Sequence, residues 1–86
     1  MGADAIEEAM FKYHPLYEFL KKSGKRELSL SIEEIEKILE FKLPKSSNLA
    51  SWWSNTPESG HTQAKAWVEA GYRVMWRDGV RIFKKN

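Results

Sequence analysis

The sequence predicts an α+β domain of three to four short helices, one short extra strand and a C-terminal β-hairpin, in a winged-helix-like order. Three observations carry that prediction. Residues 31–39 place apolar side chains at helical spacing behind a Ser-x-x-Glu start. Residues 72–85 form two alternating runs around Asp78-Gly79, a pair that favours a two-residue type I′ turn. The chain has 86 residues and no cysteine, so one small core must hold it together without disulfides.

Taken in order, residues 4–12 read as a short helix, with Asp4 as N-cap, Glu7 three residues later and Ile6 and Met10 on one face. Residues 1–12 are expected to be an N-terminal helical extension and residues 13–86 one compact domain. Pro15 suits the first turn of the next helix, in which Leu16, Phe19 and Leu20 make an apolar stripe. Lys21, Lys22 and Gly24 give its stop. Glu27–Leu30 alternates and reads as a short strand.

Ser31 then opens the clearest helix. Ile32, Ile35, Ile38 and Leu39 form its core face, while Glu33, Glu36, Lys37 and Glu40 turn to water and Leu43-Pro44 ends it. Residues 45–60 are polar and turn-rich apart from Leu49, Trp52 and Trp53, so a helical turn near 45–50 and an irregular connection are expected. A third helix should run from His61 or Thr62 to Ala70, with Gly71 beyond its end. In the hairpin, Trp76 faces Arg81, Val74 faces Phe83 and Met75 faces Ile82. The Val74, Phe83 and Trp76 side is expected to meet the core, and Arg73, Arg77 and Lys84 the solvent.

Composition narrows the function classes. At 42% hydrophobic and 30% charged the chain is a folded globule. No apolar run is long enough to span a bilayer, and the first residues lack a signal-peptide pattern, so cytoplasm is the expectation. Residues 1–40 hold nine acidic and six basic residues, and residues 41–86 three acidic and eight basic. A basic half beside an acidic half points polyanions towards the C-terminal part, although an ordinary mixed surface gives the same tally.

Three constellations suggest binding, each with a plainer structural explanation. In Lys45-Ser-Ser-Asn-Leu-Ala-Ser-Trp-Trp-Ser-Asn55, one of Trp52 and Trp53 is expected at the surface to stack on a base. Lys45, Ser46 and Asn55 would hold phosphate oxygens; the plainer explanation is that both indoles roof the core and Asn55 caps a turn. His61-Thr62-Gln63-Ala-Lys65 would present a helix start to an anion, with Gln63 reading adenine, unless His61 merely caps the helix. Arg73, Arg77 and Lys84, with Arg81 and Lys85 nearby, would lie along a phosphate backbone or simply be a solvated face. Trp76 opposite Arg81 also reads as a structural cation–π pair.

Catalysis finds little support. The Asp residues are only Asp4 and Asp78, the two histidines lack metal-ligand spacing, and no phosphate-binding glycine loop is present. No enzyme activity, metal or cofactor is expected.

The residues Tyr13-His-Pro-Leu16, Leu28-Ser-Leu-Ser-Ile-Glu-Glu-Ile-Glu36, Leu43-Pro-Lys-Ser46, Trp52-Trp-Ser-Asn55 and Gln63-Ala-Lys-Ala-Trp-Val-Glu-Ala-Gly-Tyr72 resemble a family of small, uncharacterised prokaryotic domains. Trp-Trp-x-Asn followed by Gln-Ala-x-Ala-Trp is the specific part. The resemblance implies a free-standing compact domain and brings no activity with it. The resulting expectation is a small non-catalytic nucleic-acid-binding domain, for DNA before RNA, without membrane attachment. The alternative is a protein-interaction module, either a dimerising domain or a small inhibitor that docks on a larger partner, since Trp, Tyr and Arg also dominate protein interfaces.

Overall fold

The computed structural model describes residues 12–56, 62–77 and 79–86. All of the expected N-terminal helix except Lys12 lies outside these residues. The domain begins with helix α1 (His14–Ser23), entered through Pro15 in its first turn and closed by Gly24 at φ +62°. Its buried side is built by Tyr13, Leu16 and Leu20. Phe19, expected in that stripe, is instead 39% exposed, at the surface beside Lys22, Lys25 and Leu28. Burial pushes the Tyr13 phenol up from its ordinary pKa.

Strand β1 (Glu27–Ser31) leads directly into helix α2 (Ile32–Leu39). The Ser31 hydroxyl accepts from the Glu34 N–H at 3.0 Å, and the Glu34 carboxylate accepts from the Ser31 N–H at 2.9 Å. This reciprocal capping box satisfies two donors that a helix start otherwise leaves open. The helix stops at Leu39, earlier than Leu43-Pro44 would require. Glu40 turns the chain at φ +66°, and Phe41 packs edge-on against Tyr13 with ring centroids 5.7 Å apart. Glu36 does not simply face water, since its carboxylate accepts from the Leu43 N–H at 2.8 Å and fixes the exit.

Two 3-10 turns follow, Lys45–Asn48 and Ala50–Trp53. A third, Thr62–Ala64, runs into helix α3 (Lys65–Val68), so the last helix is much shorter than residues 61–70. Gly71 then reverses the chain at φ +90°, where a side chain would be strained. The hairpin is formed by β2 (Tyr72–Arg77) and β3 (Val80–Lys85), in the expected register. Asp78 lies outside the described residues, while Gly79 sits at φ +70°. Strand β1 joins the far side of β3, giving an antiparallel sheet of order β1-β3-β2.

The three helices cover one face of this sheet. Trp67, Tyr72, Phe83, Leu16, Leu20 and Ile35 are the largest fully buried side chains, and they come from all three helices and from β2 and β3. Ala64 and Ala66 are wholly buried between them, small enough to let the indoles approach. Among the described residues, no helix is long and apolar enough to cross a membrane.

Strand β2 is an edge strand, and its open side is partly closed by a side chain. Asn55 donates from Nδ2 to the Val74 carbonyl at 3.1 Å and accepts the Val74 N–H at 2.7 Å. The amide thus stands where a neighbouring strand would. Asn55→Ala leaves both backbone groups of Val74 without these partners. It should cost about 1–3 kcal/mol in urea unfolding; a change below about 0.3 kcal/mol would show that the clamp contributes nothing.

Candidate nucleic-acid interface

The residues nominated from sequence separate into those the fold consumes and those it presents. Trp52 and Trp53 are both buried, at 9% and 4% exposure. Adjacent indoles can share one core here because the Ala50–Trp53 segment is a 3-10 turn, which sends successive side chains about a third of a turn apart. Trp52 packs edge-on against Tyr13 at 5.9 Å, and Trp53 stacks on Trp67 at 5.5 Å. The plainer explanation, that both indoles roof the core, is the one found, and neither is a surface ring free to stack on a base.

The polar atoms of this region are also engaged. Trp53 Nε1 donates to the Ser47 carbonyl at 2.8 Å, and Trp67 Nε1 to the Ser54 carbonyl at 3.0 Å. Gln63 is buried and donates from Nε2 to the Trp52 carbonyl at 2.8 Å, so its amide is not turned outward to read a base. Asn55 holds Val74, as described above. The Trp53, Trp67 and Gln63 bonds each satisfy a backbone carbonyl of residues 47–54, and Asn55 satisfies the edge of β2.

His61 lies outside the described residues, as does the side chain of Thr62. Lys65 is half-buried at the start of α3, a helix of only four residues, about 6 Å long at the usual rise. That is too short to lie in a groove as a recognition helix. Lys45 and Ser46 are exposed in the first 3-10 turn, where the Ser46 carbonyl accepts from the Leu49 N–H at 3.0 Å.

The hairpin presents more. Arg73, Arg77 and Lys84 are exposed on the outer face of the sheet. Lys84 lies 3.8 Å from Glu27 on the neighbouring strand, so part of its charge is answered locally. Arg81 does not join the basic face: it is 3% exposed and forms the structural cation–π pair with Trp76 that the register predicts. Its Cζ sits 3.7 Å from the centre of the Trp76 ring and 4.8 Å from that of Trp53. The guanidinium is thereby held between two indoles, with Nη1 donating to the Val80 carbonyl at 3.0 Å and Nε buried without a partner. This desolvation lowers the Arg81 pKa from its ordinary value, yet a guanidinium remains charged at neutral pH. No carboxylate forms an ion pair with it among the described residues.

Trp76, expected on the core face, is 44% exposed. It lies on the core side of the sheet, but so close to the hairpin turn that the core ends beneath it and Arg81 fills the gap. The free indole of the domain is therefore Trp76, and the sequence signal for it was the cross-strand pairing with Arg81. Among the described residues, no group of three His, Cys, Asp or Glu side chains is placed to hold a metal ion.

A family model described as a domain of unknown function, DUF7662, matches residues 13–82. The chain belongs to this family. The matched span starts at Tyr13, the first buried residue among those described, and runs from α1 through β2 into the first half of the central strand. No curated protein and no solved structure matches the chain.

The two kinds of indole should separate in stability measurements. Trp53→Ala removes a stacked core ring and a buried hydrogen bond and should cost about 3–5 kcal/mol. Trp76→Ala should cost only about 1 kcal/mol, chiefly the loss of its contact with Arg81. Equal losses in chemical denaturation would contradict this division.

Proposed function

We propose that this DUF7662 domain is a non-catalytic nucleic-acid-binding module that works through its hairpin. The observation that carries the reading is the composition of one edge strand. In β2, exposed Arg73 and Arg77 flank an exposed indole, Trp76. Because no described strand lies on the outer side of β2, a ligand running along that edge meets the cations on one face and the ring on the other. Guanidinium groups suit phosphate oxygens, and an aromatic ring suits bases or sugars.

The charge asymmetry of the chain supports the same surface, since the basic excess belongs to residues 41–86. The order helix, strand, helix, helix, hairpin is winged-helix-like, which suits nucleic-acid binding only by analogy. Within that order the short α3 and the inward Gln63 move recognition from the helix to the hairpin, as in proteins that read nucleic acid with a β-ribbon.

The test is fluorescence anisotropy of labelled DNA and RNA oligonucleotides across a salt series. Affinity should fall as salt rises, because each neutralised phosphate releases counterions. The double variant Arg73→Gln, Arg77→Gln should weaken binding about tenfold or more and reduce the salt slope by about two. A folded protein that binds no oligonucleotide, or binds one independently of salt, would overturn the proposal. Concentration-dependent self-association in that case would instead point to exposed apolar residues such as Leu49, Met75 or Trp76 as protein contacts.

A further inference from the structure

We infer that the hairpin selects single-stranded nucleic acid, with the open face of Trp76 serving as a stacking platform for one unpaired base. This inference rests on the nucleic-acid reading above and narrows it.

The platform is the outer end of a column of flat groups. Trp67 is fully buried and stacks on Trp53 with an interplanar angle of 24°. Trp53 meets the Arg81 guanidinium, and Arg81 in turn lies against Trp76. The column therefore runs from the centre of the core to the surface, and its next position is open. Arg81 covers one face of the Trp76 ring and is itself pinned by two rings and the Val80 carbonyl. A ring supported in this way has little rotamer freedom left to lose when a ligand stacks on it.

The edge beside the ring adds hydrogen-bonding capacity. In an antiparallel ladder, alternate residues direct their N–H and C=O to opposite sides. Val74 directs both outward, to Asn55. Trp76, two residues on, therefore directs its own pair to the same side, where no hydrogen bond joins it to another described residue. A donor and an acceptor thus stand next to the indole, where the edge of a stacked base would lie.

Such a site discriminates by base exposure. Bases in a duplex already have both faces covered by their neighbours, and only their edges are reachable in the grooves. Stacking on Trp76 would require unstacking the duplex, which costs a few kcal/mol, whereas a single strand offers its bases directly. The cations Arg73 and Arg77 attract either form, so the ring, not the charge, makes the distinction.

The experiment compares a fluorescein-labelled oligothymidine of about 15 nucleotides with a blunt mixed-sequence duplex of similar length, at one salt concentration. The intact protein should bind the single strand about tenfold or more tightly than the duplex. Trp76→Ala should lower single-strand affinity about tenfold, equivalent to about 1.4 kcal/mol, and lower duplex affinity much less, so that the preference for the single strand is largely lost. Trp76→Phe should retain most of the single-strand affinity, and near-ultraviolet circular dichroism should show that both variants are folded. Equal affinity for the two forms, or a Trp76→Ala variant that binds the single strand normally, would overturn this inference while leaving salt-dependent hairpin binding intact. No binding of either probe by the folded protein would overturn both.

Discussion

The described residues between α2 and α3 form only short 3-10 turns, and side chains supply further partners for their backbone. Backbone amides and carbonyls cannot be left unpaired beside a core without cost. Trp53, Trp67 and Gln63 each donate to a carbonyl of residues 47–54. Asn55 then fastens the end of this segment to the edge of β2. In an 86-residue chain without disulfides, these bonds and the indoles that carry them do the work of a further layer of secondary structure.

This arrangement explains why the residues most suggestive of a binding site are the ones least available for it. Trp-Trp-x-Asn and Gln-Ala-x-Ala-Trp contain rings and amides, the groups that a nucleic-acid site also needs. In the fold, the rings form the column that starts at Trp67, and the small Ala64 and Ala66 pack tightly beside it. The motif thus defines how the domain is built. The exposed chemistry is displaced to Trp76, Arg73 and Arg77, on the strand that the motif's Asn55 holds in place.

Much of the fold was legible because local rules and tertiary packing agree. The Ser31–Glu34 capping box, the Gly24 stop and the hairpin register all depend on residues close in sequence, and all are found. The misreadings occurred where distant contacts decide. Beyond the early end of α2, Phe41 packs on Tyr13, and Tyr13 joins Leu16 and Leu20 in the buried side of α1 while Phe19 does not. Of the nominated site, Arg73 and Arg77 were legible from strand alternation alone. The fates of Trp53, Gln63 and Arg81 were not, because each turns on a partner brought near only by the folded chain. The pairing of Trp76 with Arg81 could be read from the register; that the core would end beneath it could not.

The central claim is that one edge strand is the working surface and the Trp–Asn–Gln cluster is its support. An NMR titration of ¹⁵N-labelled protein with a short single-stranded oligonucleotide tests it most directly, since the four indole N–H groups report separately. The account predicts that the Trp76 indole and the amides of Arg73–Arg77 shift, while the indoles of Trp52, Trp53 and Trp67 stay in place. Shifts centred on Trp53, Gln63 and the start of α3, with Trp76 unmoved, would contradict it.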